Sequence, residues 1–235
     1  MDAALAKVTV VIPVGPGDTV APELRLQLRA LPQTRVRVVC ASDADAAVLR
    51  ASMSAYSLPR LEILTASPGR ASQQNTGAAG ASTAYLWFLH ADSRLAGNTL
   101  QALADFVARD EWALGYFDLR FLDDGPMWVR LNALGAWLRS HWLRLPFGDQ
   151  GFVLPRDAFE DLAGFDPRLS SGEDHDLVWR ARRADLPIRA LRANLYTSAR
   201  KYAERGWWRT TWQHLVATYR QARQFSHASR ASEGA

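Results

Sequence analysis

The chain has 235 residues, 48% of them hydrophobic and 22% charged, with a formal net charge of +4. That is ordinary globular composition for one large domain. So small an excess of cations over this length is a weak footprint for a nucleic-acid protein. One cysteine, Cys40, excludes an internal disulfide and sits in an apolar run that suits a buried thiol. No apolar stretch reaches the ~18–20 residues that span a bilayer, and no signal peptide precedes the first strand, so the cytoplasm is the simplest location.

The elements are expected in this order. Val8–Val14 reads as a buried strand, followed by the turn Gly15-Pro16-Gly17 and a helix over 21–31 with Pro22 in its first turn. Arg35–Ala41 is a second strand. Asp43 then caps a helix over 44–56. Leu61–Thr65 is a third strand, 70–83 a loosely packed helix, and 84–89 a fourth strand. Asn98 caps a helix carrying Leu100, Leu103 and Val107 on one face. A strand over 113–121, a long amphipathic helix over 127–145, a turn at 148–151 and a strand at 152–154 follow. Helices are expected over 156–163 and 174–185, and again over 207–225, with a frayed end at 226–235. Strand and helix alternating with short turns imply an α/β fold with a mostly parallel sheet covered on both faces.

Two acidic turns carry the chemistry. Tyr85-Leu86-Trp87-Phe88-Leu89 ends at His90-Ala91-Asp92-Ser93, which delivers a carboxylate to the sheet edge where open α/β sheets bind ligands. Asp92 fits a metal ligand there and equally a turn cap. His90 fits a second ligand or a satisfied strand-end histidine. Glu173 and Asp174 open a helix, where acids also serve the macrodipole; one of them fits a general base. Gly69-Arg70-Ala71-Ser72-Gln73-Gln74-Asn75 offers cation and amides with little bulk, as a ligand contact or an exposed helix start. Gly148-Asp149-Gln150-Gly151 has the same two readings. Thr197-Ser198-Ala199-Arg200-Lys201 is a phosphate clamp or a solvated loop. Tryptophans at 128–142 and 207–212, next to arginines, admit a peripheral contact with the inner membrane or a homodimer contact.

These motifs, in this order, resemble the family 2 glycosyltransferases of GT-A (Rossmann-like) fold. Val-Ile-Pro-Val, Gly-Arg-Ala-x-Gln-x-Asn, Phe-Leu-His-Ala-Asp-Ser, Gly-Asp-Gln-Gly and Gly-Glu-Asp carry the resemblance, over about residues 8–220. A bacterial subgroup, the radical-SAM/selenodomain-associated transferases, also shows Phe-Asp-Leu-Arg-Phe (117–121) and Thr-Ser-Ala-Arg (197–200). The resemblance implies an inverting transfer of sugar from a nucleotide-diphosphate sugar to an acceptor hydroxyl, with Mn2+ or Mg2+ as cofactor. It implies Asp92 as metal ligand and Asp174, beside Glu173, as catalytic base. Asp149 and Gln150 would line the sugar site, and Pro13, Arg70, Gln74, Asn75 and His90 would approach the nucleotide-sugar. Arg200 and Lys201 would face the diphosphate. It implies a single domain over 1–225: a nucleotide-sugar half (8–93), an acceptor half (94–200) and a helical extension (201–225).

The chain departs from the family pattern in three places. His90 replaces the first acid of Asp-x-Asp. Gly15-Pro16-Gly17 replaces a polar first-strand end. Cys40-Ala41 stands where an aspartate usually reads the base, with Asp43 or Asp45 slightly further on. Two alternatives stay open: a degenerate module that holds a nucleotide-sugar or partner without turnover, and a nucleotidyltransferase. The second normally wants a lysine-bearing Gly-rich loop, and no lysine lies between Lys7 and Lys201.

Overall fold

The computed structural model describes residues 1–56 and 58–199. Four parallel strands form one half of the sheet: β1 (Val8–Val14), β2 (Arg35–Cys40), β3 (Leu61–Thr65) and β4 (Tyr85–Phe88). The other half holds β5 (Arg94–Leu95), β6 (Leu114–Phe121), β7 (Val153–Pro155) and β8 (Ile188–Thr197). The order across the eight strands is β3-β2-β1-β4-β7-β6-β8-β5. β7 runs antiparallel to both β4 and β6, whereas β6 and β8 are parallel.

Alternation along the strands builds two cores. Val8, Val10, Ile12 and Val14 of β1, with Tyr85 and Trp87 of β4, face α2 (Pro22–Leu28), α3 (Asp43–Met53) and α5 (Thr99–Ala108). Val11, Leu86 and Phe88 face the other way, towards α4 (Arg70–Ala78), α7 (Arg156–Asp161) and α8 (Glu173–Arg183). The expected helices on both faces are therefore present. A short α1 (Asp2–Leu5) and α6 (Val129–Trp142) complete the set.

Local chemistry sets the ends. Pro22 opens α2 as expected. Ser42, not Asp43, caps α3: its hydroxyl accepts the Asp45 N–H at 3.1 Å. Asn98 precedes α5 without a side-chain cap; Thr99 Oγ1 instead accepts the Ala96 N–H at 2.7 Å and donates to Asn194 O at 2.8 Å. α4 stops at Ala78 rather than running to 83. Arg37, 8% exposed within β2, donates to Gly77 O and Ala79 O at 3.1 and 2.7 Å, taking up carbonyls at that helix end. Gly77 lets α4 lie close on the sheet, since a Cβ there would collide with Val11 Cγ1. The expected helical extension after residue 200 lies outside the described residues.

Candidate active site

β1 and β4 both end at the same sheet edge, and the chain segments that follow them form the site. Gln73 of α4 splints its floor: the side-chain amide donates to Val14 O at 2.6 Å and Val39 O at 2.8 Å, tying the ends of β1 and β2. Beyond β1, Gly17 N–H donates to Asp45 Oδ1 at 3.2 Å, so Asp45 sits beside the Gly15–Gly17 turn. The Ser42 hydroxyl, then Gly17, hold the Asp45 carboxyl below the usual range.

Asp92 follows β4 and is half-buried; the Thr197 hydroxyl at the end of β8 donates to its Oδ2 at 3.2 Å. Thr197 of the predicted clamp thus lies next to Asp92, Ser198 and Ala199 donate to the Asp124 carboxylate, and Arg200 and Lys201 fall outside the described residues. Asp174 opens α8 and accepts two backbone hydrogen bonds, from Gly148 at 2.6 Å and His175 at 2.8 Å. The first bond stitches α8 to the 3-10 turn over Gly148–Gln150; a Cβ at Gly148 would press on Asp174 at 3.1 Å. Arg70, first residue of α4, reaches Glu173 Oε1 at 3.2 Å, close enough for an ion pair though not aligned as a hydrogen bond.

The electrostatics show that these groups sense one another. Burial pulls the His90 imidazole down to about 4, Arg70 adds to the shift, and Asp92 and Asp174 oppose it. Burial pushes the Asp149 carboxyl up to about 6, with Arg139 opposing and Asp174 adding. Burial and the neighbouring Asp174 raise Glu173, against Arg70. Buried polar atoms nearly always find partners. Here His90 Nε2, Asp149 Oδ1 and Glu173 Oε1 are buried without a hydrogen-bond partner, three of six such side-chain atoms among the described residues. Buried polar atoms without hydrogen bonds, concentrated in one place, mark a site prepared for something else.

Three of the expected ligand contacts are taken up within the protein, and the fourth, Gln74, is buried. Pro13 is buried within β1, opposite Val39. Gln150 is fully buried: its amide donates to Phe117 O at 3.0 Å and Ser140 Oγ at 3.1 Å, and its Oε1 accepts the Phe147 N–H. It holds the turn that presents Asp149. Asn75 grips the Phe165 backbone from both ends, at 2.7 and 2.9 Å. Gln74 is 3% exposed, with its Oε1 unpartnered. Asn75→Ala should therefore act on stability. Two lost hydrogen bonds predict a loss of roughly 2–3 kcal/mol in chemical denaturation, with ligand affinity little changed. An affinity loss at unchanged stability would restore Asn75 to the ligand.

A cleft of about 1100 Å3 opens beside Asp92, lined by the start of α2, residues 91–97, Phe121–Asp124, Tyr196 and Ser198. No group of three or more His, Cys, Asp or Glu side chains able to hold a metal is present among the described residues. Mg2+ and Mn2+ sites of the phosphate-bridging kind need only one or two protein carboxylates, the rest coming from phosphate and water. Asp92 fits that mode, with the orphaned His90 nitrogen nearby.

The parallel half-sheet, the acid-bearing turn after β4 and the flanking helices define a GT-A glycosyltransferase architecture. The family model for glycosyl transferase family 2 matches residues 9–165, and the chain belongs to that family. The fold is similar to S. aureus TarS 1–349 in complex with UDP-GlcNAc, at a TM-score of 0.62 and 15% identity. That match covers 81% of this chain and 58% of TarS 1–349, so the chain spans less than two thirds of this neighbour. TarS 1–349 with UDP gives a TM-score of 0.62 at 15% identity, covering 81% of this chain and 60% of the other. No curated protein sequence matches the chain.

Proposed function

We propose that this glycosyltransferase moves a sugar, with inversion, from a nucleotide-diphosphate sugar to an acceptor hydroxyl in the cytoplasm. On its motifs we assign it to the radical-SAM/selenodomain-associated subgroup. The observation that carries the reading is the cluster of His90, Asp92, Asp149, Glu173 and Asp174 around Arg70, with three buried polar atoms that no hydrogen bond satisfies. Residues 8–93 form its donor half and the segment from about 94 its acceptor half. TarS holds UDP and UDP-GlcNAc on a similar fold, which makes UDP-sugars the first donors to test.

In this scheme Asp92 holds the Mn2+ or Mg2+, which when bound stabilises the negative charge of the leaving diphosphate. Arg70, at the N-terminus of α4 and half-exposed, adds a cation and the positive end of a helix dipole. Arg200 and Lys201, outside the described residues, are the cations that the family resemblance assigns to the same diphosphate. Asp174 takes the acceptor proton, exchanging one of its backbone N–H partners for the hydroxyl. Asp149, tuned to about 6 and with Oδ1 unpartnered, orients the sugar and is the second candidate for base. His90, neutral at pH 7, keeps a positive charge away from Arg70.

A donor-holding module without turnover is the second reading. It is favoured by the two backbone bonds that Asp174 already accepts. The test is a melting-temperature panel of UDP, GDP, dTDP and CMP with and without Mn2+, followed by release of nucleotide from the matching sugar donor. A metal-dependent rise with one nucleotide is expected, since binding to the native state alone stabilises it. A rise without any turnover selects the second reading. No rise with any nucleotide overturns both.

A further inference from the structure

α6 carries two apolar faces. Val129, Ala133, Ala136 and Ser140 turn inward, and the Tyr116 hydroxyl of β6 donates to Ser140 O at 2.9 Å. Half a turn round, Met127 just before the helix and Leu131, Leu134, Leu138 and Trp142 within it point outward, 38–76% exposed. An apolar face of that length on a surface helix is unusual. Eight of the twelve exposed large apolar side chains among the described residues fall between 127 and 143, a patch rather than scatter.

Charge selects the occupant. No Asp or Glu occurs from 125 to 148, while Arg130, Arg139, His141 and Arg144 do. Asp123 pairs with Arg130 at the rim at 3.6 Å, and Asp118 faces His141 at 3.5 Å. Arg182 of α8 adds a cation at the far end, donating to Leu143 O at 3.0 Å. Arg139 turns away from this face, over the Phe147 ring and onto Leu145 O, and Asp123 offsets Arg130, so Arg144 and Arg182 carry the positive excess; a second copy would bring the same excess and no acid to meet it. The C-terminal segment 205–232 has five arginines and no acid, so it brings the same sign. Its sequence also carries Trp207, Trp208 and Trp212. Outward leucine and tryptophan flanked by arginine are the residues that seat a helix at the headgroup boundary of a negatively charged bilayer.

We propose that the outward face of α6 docks the protein onto an anionic lipid bilayer surface. The test is flotation of the full chain with vesicles of phosphatidylcholine alone or mixed equally with phosphatidylglycerol, alongside sedimentation of the protein by itself. The parent should float with the anionic vesicles, not with the neutral ones, and less as salt rises. The double variant Leu134→Glu/Leu138→Glu should lose at least roughly tenfold in vesicle binding while its melting temperature holds, since both side chains are exposed. Arg144→Glu should weaken binding in the same direction. A parent that stays unbound at every lipid ratio overturns the proposal. So does a parent dimer that the double variant splits while vesicle binding is unchanged. Flotation needs no sugar transfer, so this proposal and the catalytic one fail separately.

Discussion

Replacing Asp92 with asparagine is expected to lower sugar transfer roughly 100- to 1000-fold while leaving the fold intact. That is the usual scale for removing one preorganised charge from a site where charge develops. The structural cost is small. An asparagine oxygen can still accept from Thr197, so at most about 1 kcal/mol is lost, or ~2–4 °C in melting temperature for a chain of this size. Steady-state assays at saturating donor, with a thermal melt of the same sample, separate the two effects. Asp174→Asn is a less clean probe, because its carboxylate also pins the Gly148 turn. An amide can accept only one of the two N–H groups without turning a donor towards the other. If Asp92→Asn transfers sugar at the parent rate, the metal-bridging assignment is lost.

Asp149→Asn should make the protein more stable at pH 8 and change little at pH 4. An unfolded aspartate ionises near 3.9, whereas burial holds Asp149 near 6. Between those values the unfolded chain gives up a proton that the folded chain keeps, so stability falls as pH rises through that window. Above about 6 the full penalty persists. Discounted for partial exposure, it is on the order of 2 kcal/mol, or ~4–8 °C. Melts of parent and variant across pH 4–8 should diverge through the window. Parallel curves would show that Asp149 does not carry the penalty. Activity should move the other way, losing its ascending limb near pH 6 if Asp149 also moves the proton. That is the stability–function exchange expected of a group kept buried and partnerless for its chemistry.

The parallel half of the sheet was legible because β1 and β4 are nearly unbroken apolar runs, and β2 and β3 are short segments rich in Val, Ile and Leu despite Arg37 and Glu62. β8 was not. Its register against β6 slips between Tyr116 and Asp118, and Arg192 takes a left-handed φ of 56°, so the alternation that marks a strand is interrupted. β5 has two residues and α1 four, too short to show a period. Both acidic turns were legible because carboxylates at a strand end and a helix start stand out by type. The structural bonds of the amides were not legible. Asn75 and Gln150 look like ligand contacts, yet their partners are the Phe165 backbone and Phe117 O, and nothing in a sequence marks which backbone group will lie opposite an amide. Gln73, which ties two strand ends, was part of a recognised segment but carried no signal of that task.

That tie bears on how fast the site can work. The carbonyls of Val14 and Val39 lie at the sheet edge where the proposed nucleotide would bind. With one amide bridging them, the floor of the site holds a single spacing before any ligand arrives. Donor capture then has little ordering entropy to offset and no rearrangement of the floor to wait for. Stopped-flow binding to this edge should be a single phase, linear in nucleotide concentration. Gln73→Ala should bend that line into saturation as the freed strand ends become a slow step of their own.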